Sequence, residues 1–404
     1  MMMALDGIRV IDWTQWQMGP SASSMLGDLG ADVIKIEHPV SGDGGRGIMT
    51  VNQVMNQVGG RNFFFEFNNR NKRGITLDVS KPRGKEILFR LVKKSDVFIQ
   101  NYRFGVSKKL GIDYESLSKI NPRLIYANAT GFGTKGKDAI KPAYDALAIA
   151  RSGFMTMHGE PNTPPLVTVG AIADQMGAIM TAYGVLGALM ARERHGVGQE
   201  VEVSLLSSMM WLQHNNVASK LMLGQELSRS YRNKAGNPLY NYYQCSDGKW
   251  LMLANLQPDR QWPILCKALN IMELQNDPKF SSIEGRGKNA EELIRILDRS
   301  FATKTRDEWL KILEQSGDII CGPINTVSDM VEDPQILANE YIIEYDHPVF
   351  GITKVVNVPI KYSRTPGGIK RPAPEFGQHT EEILVDLLEY TWDDIAAFKD
   401  ERII

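Results

Sequence analysis

One carboxylate stands out by its setting. Asp174 lies in the run Gly170-Ala171-Ile172-Ala173-Asp174-Gln175-Met176-Gly177 and is the only acid between Glu160 and Glu193. An aspartate at the start of a helix can cap it, because its oxygens accept the free backbone N–H groups there. It can equally be a nucleophile held in apolar surroundings, since a carboxylate forms reactive acyl intermediates. The residues themselves leave both readings open.

Basic side chains gather at two other places. One is Arg70-Asn71-Lys72-Arg73-Gly74; the other is Asn101-Tyr102-Arg103-Phe104-Gly105, followed by Lys108-Lys109. Arginine forks onto phosphate oxygens and lysine supplies a point charge, so either cluster can hold an anion. Tyr102 and Phe104 could stack on a purine. An ordinary solvated charge run explains the same residues. Other chemistries find little support. The six histidines, among them His38 and His379, have no short-range metal-ligand spacing. No GxSxG elbow is present. Between Asp12 and Gly30 the glycines lack the GxGxxG spacing of a dinucleotide site, although Glu37 stands where a ribose-binding acid would. Cys245, Cys266 and Cys321 are far apart and odd in number, which speaks against a disulfide framework and for a reducing cytoplasm.

Alternating signals give the elements that must position these groups. Residues 8–12 read as a strand, 21–29 as a helix and 33–37 as a second strand. A helix over 82–94 carries Ile87, Leu88, Leu91 and Val92 on one face, and strands follow at 97–100 and 124–129. This order predicts an α/β fold with a parallel sheet covered by helices, its ligand beyond the strand carboxyl ends. Long helices are predicted over 171–194 and 204–223, with a strand at 200–203 between them. Thr380 is predicted to cap a helix in the tail. The large domain is expected over 1–215 and 346–404, a small α+β domain over 228–330, and linkers at 216–227 and 331–345.

The bulk composition sets limits. The chain has 404 residues, a net charge of −1 and 43% apolar residues, enough for two or three domains with sizeable cores. Such a balance offers no broad basic surface for nucleic acid. The apolar stretch 176–191 falls short of the ~20 residues that span a bilayer, and no signal peptide is apparent, so neither membrane nor secretion is expected.

Strung together, short motifs resemble one family. They begin with Leu5-Asp6-Gly7-Ile8-Arg9-Val10, Gly19-Pro20 and the run from Leu29 to Glu37. Ser41-Gly42-Asp43, Asn71-Lys72-Arg73 and Leu77-Asp78 follow, then the stretch from Asn101 to Gly111. Glu284-Gly285-Arg286, Cys321-Gly322-Pro323 and Gly377-Gln378-His379-Thr380 complete them. The sequence resembles the family III CoA-transferases, whose superfamily also holds acyl-CoA racemases.

The resemblance implies a Rossmann-like large domain, a smaller domain and two interlocked subunits, either a homodimer or a hetero-oligomer with a related chain. It implies that Asp174 is the catalytic nucleophile with Gln17 beside it. It places CoA contacts on His38, Leu77, Ser80, Asn101, Tyr102, Arg103, Phe104 and Lys109. Coenzyme A and acyl-CoA enter as substrates, with no tightly bound cofactor and no metal. Trp16, Tyr144 and Asp145 are the expected substrate pocket, and Trp13, Met49, Met55, Tyr240, Tyr242 and Tyr243 are further candidates for it. The expected reaction moves CoA from a thioester such as succinyl-CoA to an aryl-substituted or dicarboxylic acid. His38 departs from the arginine or lysine of many relatives. Tyr144 stands where racemases carry a histidine, which argues against α-proton exchange. Rival readings are an acyl-CoA isomerase and a non-catalytic CoA-binding subunit.

Overall fold

The computed structural model describes residues 2–48, 50–51, 54–55 and 57–404. Met49 therefore lies outside the described residues, as does the side chain of Met55. The chain divides into two compact units: Met1–Thr156 with Val167–Glu226 and Glu340–Ile404, and Met157–Leu166 with Leu227–Asn339.

Six strands form one parallel sheet in the first unit. They are β1 (Arg9–Trp13), β2 (Asp32–Glu37), β3 (Lys72–Thr76), β4 (Val97–Gln100), β5 (Ile125–Thr130) and β6 (Gln199–Ser204). Their spatial order is β6-β5-β4-β1-β2-β3. The chain thus winds outward from β1 in one direction, then returns to β4 and winds in the other. A crevice opens at the reversal, beyond the carboxyl ends of β1 and β4.

Alternation along the strands feeds two cores. Ile11, Ile34, Ile36, Phe98 and Tyr126 pack on one face with the helix Pro82–Lys93 and the C-terminal helix Trp392–Asp400. Val10, Val33, Val97, Ile99 and Ala127 pack on the other, against Leu26, Ala182, Val185 and Leu189. Burial on both faces is what makes these strands near-continuous apolar runs.

Two helices on that second face matter for the site. The first, α1, is Met18–Asp28 and follows β1 directly. Its glycine at position 19 has a steric reason, since a Cβ there would stand 2.5 Å from Thr14 Cβ. Short Phe63–Asn69 (α2) precedes β3, and Pro82–Lys93 (α3) follows it. Asp145–Arg151 is α4, and Ile172–His195 is the long helix α5. The buried stripe of α5 is mostly small: Ala173, Gly177, Ala178, Thr181 and Ala182. This lets it lie closely on α1, and a Cβ on Gly177 would meet Met18 Cε at 2.8 Å.

The second unit has its own core. A three-stranded antiparallel sheet, β7 (Tyr240–Gln244), β8 (Trp250–Ala254) and β9 (Cys321–Ile324), packs with Trp262, Leu293, Leu297, Phe301 and Trp309.

Several expectations need correction. The predicted helix over 204–223 is two helices, Leu205–Leu212 and His214–Leu223, broken at Gln213. The helix α5 has 24 residues and is long and apolar enough to cross a bilayer, because helical residues continue past both ends of the apolar stretch. Thr380 does not cap a helix; His379 holds that position without a side-chain bond, and the Thr380 hydroxyl accepts the Thr76 N–H at 3.1 Å.

Candidate active site

Asp174 sits in the first turn of α5, whose N-cap position is Ala171 in a left-handed conformation (φ 52°). Its carboxylate caps nothing, which removes the capping explanation of this residue. That task falls to Asp145, the first residue of α4. Asp145 Oδ1 accepts the N–H of Ala173 at 2.7 Å and the N–H of Asp174 at 3.1 Å. No hydrogen bond to the Asp174 carboxylate is found among the described residues.

This arrangement governs the acid's strength. Burial works against a charge at Asp174, and the nearby Asp145 carboxylate adds repulsion. Together they push the Asp174 pKa up to about 7. Burial also raises Asp145, against the pull of the two amides it accepts. The amides that would most readily stabilise an Asp174 anion are thus already committed.

The β1–α1 loop forms the next part. Gln17 is buried at the N-cap position of α1, and no side-chain capping bond is made there. Gly177 touches Met18, and Asp174 lies three residues earlier on the same helical face. The first turns of α1 and α5 therefore meet, and Gln17 immediately precedes α1. Trp16, with φ 67°, precedes Gln17 and sets its ring edge-on to Tyr144 at 6.3 Å. Trp16 and Tyr144 are 41% and 59% exposed, so two aromatic faces stay open beside the carboxyl pair. The Trp16–Tyr144 ring contact and the bond from the Asp174 N–H to Asp145 bring together three separate stretches of sequence, 16–17, 144–145 and 174.

Across the switch-point crevice, Gln15 and Asn101 bond reciprocally. The Gln15 N–H reaches Asn101 Oδ1 at 2.8 Å, and Asn101 Nδ2 reaches the Gln15 carbonyl at 2.7 Å. Gln15 Nε2 also donates to the Tyr102 hydroxyl at 2.9 Å, and Tyr102 stacks on Trp13 at 4.0 Å. One face of Tyr102 is consequently occupied. Arg103, Phe104 and Lys109 are exposed at the same sheet edge. His38 and Ser80 lie just beyond β2 and β3, with His38 Nε2 3.9 Å from Asp78 and Ser80 Oγ bonded to Asp78 at 2.6 Å. Leu77 is in the core, so only its backbone can face a ligand.

The other basic cluster is not at this edge. Lys72 pairs with Val33 at the start of its neighbour strand. Its ammonium is buried against Asp12 Oδ2 at 2.7 Å, Arg70 is paired with Asp28 at 2.7 Å, and Arg73 with Asp32 at 2.7 Å. These charges hold the fold and are spent. Burial disfavours a charged Asp12, but Lys72 and Lys35 outweigh it and hold the carboxyl well below its usual range.

The remaining aromatic candidates divide between the two units. Trp13 is core, Tyr243 is fully buried in the second unit, and Tyr240 and Tyr242 are exposed there. The cysteines are not poised as nucleophiles, as burial pushes Cys266 up to about 12 and Cys245 to about 11. No group of metal-ligating side chains is found among the described residues.

Similarity to known proteins agrees with this geometry. Residues 5–380 match the profile of CoA-transferase family III. The succinyl-CoA:glutarate CoA-transferase of Mus musculus is 35% identical, over 96% of this chain and 87% of its own. The (R)-2-hydroxy-4-methylpentanoate CoA-transferase of Clostridioides difficile is 33% identical over the full length of both. A crystal structure of a CAIB/BAIF family protein from Brucella suis superposes with a TM-score of 0.85 at 32% identity, covering 96% of this chain and 100% of that one. The chain belongs to CoA-transferase family III and is an enzyme that transfers coenzyme A.

Proposed function

We propose that this enzyme moves CoA between carboxylic acids through covalent intermediates on Asp174. The observation that carries the reading is a carboxylate at a helix start, unbonded among the described residues, with its pKa raised to about 7. A poorly solvated carboxylate of this kind is a stronger nucleophile than one tied up in hydrogen bonds.

In the first step Asp174 attacks the thioester carbonyl of the acyl-CoA donor. The C–S bond breaks, CoA leaves as thiolate, and a mixed anhydride joins Asp174 to the acyl group. The thiolate then attacks the aspartyl carbonyl, releasing the donor acid and leaving an aspartyl-CoA thioester. The acceptor carboxylate attacks that thioester and frees the thiolate again. Attack of the thiolate on the acceptor carbonyl of the new anhydride yields the product thioester and restores Asp174. Each attack places negative charge on a carbonyl oxygen, and the Gln17 amide, buried at the start of α1, is assigned to donate to it. The apolar cluster that packs against neighbouring Ala173, with Met18, Leu205 and Met209, would help to keep water from the anhydride.

CoA is assigned to the sheet edge formed by His38, Leu77, Ser80, Asn101, Tyr102, Arg103, Phe104 and Lys109. Arg103 and Lys109 would meet its phosphates, and Phe104 its adenine. Succinyl-CoA is a natural donor to try first, given the donor named for the mouse relative. The open aromatic pair Trp16 and Tyr144 favours an acceptor acid with an apolar or aromatic substituent. An interlocked dimer is part of the same proposal.

The test is chemical trapping. The protein is incubated with acyl-CoA and treated with hydroxylamine, and peptides from it and from Asp174→Ala are compared by mass spectrometry. A hydroxamate at Asp174 supports the reading. Binding of CoA with no modification across a broad acyl-CoA panel would sink it. Solvent deuterium appearing at the α-carbon instead would point to an isomerase.

A further inference from the structure

Behind the β1–α1 loop lies a buried ion pair that the transfer chemistry does not use. Lys35 Nζ and Asp43 Oδ2 are 2.8 Å apart, and both side chains are almost wholly shielded from solvent. Each partner also grips the loop. Lys35 donates to the Thr14 carbonyl at 3.1 Å. Asp43 Oδ1 accepts the Trp16 N–H at 3.0 Å and the Gly45 N–H at 2.8 Å.

Further contacts fix the pair itself. The Asp43 N–H donates to Glu37 Oε2 at 3.0 Å, and Glu37 is held by Arg46 through bonds of 2.8 and 2.7 Å. The Trp16 ring rests on Gly44, where an added Cβ would stand 2.6 Å from Trp16 Cζ2. Backbone and ring of Trp16 are therefore both set by residues 43–45. The residue so held has a positive φ of 67°, a conformation costly for a bulky side chain. It immediately precedes Gln17.

We infer that Lys35 and Asp43 are positioning residues that hold Trp16 in its left-handed conformation and thereby aim Gln17 at the Asp174 junction. The inference rests on the role given above to Gln17. A buried pair suits this purpose, because each charge is costly to leave without the other, so the geometry is enforced from both sides. Small displacement of a positioning group is enough to lose about 100-fold in rate.

The test compares steady-state CoA transfer with direct CoA binding. Asp43→Ala removes both the charge and the acceptor for the Trp16 N–H. Its kcat should fall about 100-fold, with the dissociation constant for CoA unchanged within about twofold. The double variant Lys35→Met with Asp43→Asn removes both charges but keeps an acceptor oxygen, and should recover to within about tenfold of the parent. An unchanged kcat in Asp43→Ala overturns the inference. So does a rate loss fully matched by lost CoA binding, or a double variant no better than Asp43→Ala.

Should Asp43→Ala not fold, Gly44→Ala decides, because it displaces the Trp16 ring with both charges in place. A fall in kcat of about tenfold at unchanged CoA affinity supports the inference, and an unchanged kcat overturns it. Transfer by the parent protein without a trappable Asp174 adduct would remove the covalent reading alone. The positioning role would still be judged by the kcat comparison.

Discussion

Asp145 Oδ1 accepts the backbone N–H of Asp174 at 3.1 Å, so one carboxylate caps the helix that carries the other. The relationship has two effects. It satisfies an orphan donor at the helix start, and it sets a second negative charge near the nucleophile. Both act against ionisation of Asp174.

The rate of CoA transfer should therefore depend on pH near neutrality. The kcat/KM of the free enzyme is expected to rise with pH and level off above an apparent pKa of about 7. A pH profile with fixed donor and acceptor checks this. A profile flat from pH 5 to 9 would exclude Asp174 as the titrating nucleophile.

Asp145→Asn separates charge from capping. The amide oxygen can still accept both N–H groups, while the repulsion is gone. The acid limb of the kcat/KM profile should shift to lower pH, because a neutral neighbour no longer raises the Asp174 pKa. An unshifted limb would mean that burial alone sets it.

Asp174→Asn tests the same pKa through stability. The folded carboxyl is raised from 3.8 to about 7, so the folded state holds a proton that the unfolded chain releases between those values. Ionised Asp174 thus destabilises the fold above pH 7, by about 4 kcal/mol at most. The variant should unfold at higher urea than the parent at pH 8. The gain should shrink as pH falls through 7 and vanish below about pH 4. A gain that is constant with pH would refute the raised pKa.

Arg103→Ala and Lys109→Ala address the CoA edge. Both side chains are exposed, so neither change should lower thermal stability appreciably. Each should weaken CoA binding about three- to tenfold at low salt, with the difference shrinking as salt rises. Calorimetric titration with CoA and with its dephosphorylated form measures this. Unchanged affinity in both variants would move the phosphates elsewhere.

Lys72→Met probes the paired cluster. The change leaves Asp12 buried without its 2.7 Å partner and should cost about 3–5 kcal/mol. Urea denaturation gives the value. A loss below about 1 kcal/mol would show that Lys35 compensates alone.

The pattern in the sequence carried the parallel sheet well. Val97, Phe98 and Ile99 put apolar side chains on both faces of one strand, and Ile87, Leu88, Leu91 and Val92 mark the buried stripe of α3. Asp174 was legible because it is isolated among apolar residues. The partnership with Asp145 was not, since 28 positions separate the carboxylate from the first amide it accepts. The cluster at Arg70–Arg73 misled for a related reason. A basic run looks the same whether it faces solvent or is consumed by Asp12, Asp28 and Asp32, which come from elsewhere in the chain. Lys35 and Asp43 stand in two of the motifs that carry the family resemblance, but their pairing was not legible, because an alternating strand predicts an apolar residue or a solvated tip at Lys35, and only the fold supplies its counter-charge.

The complete enclosure of Lys35 and Lys72, each 0% exposed, also divides the chain's amines by reactivity. Acylating reagents that label surface lysines within seconds can reach these two only when the sheet opens. Their modification would then proceed at the pace of that opening. In an enzyme whose substrates are themselves acyl donors, these two enclosed amines are thereby spared from adventitious acylation.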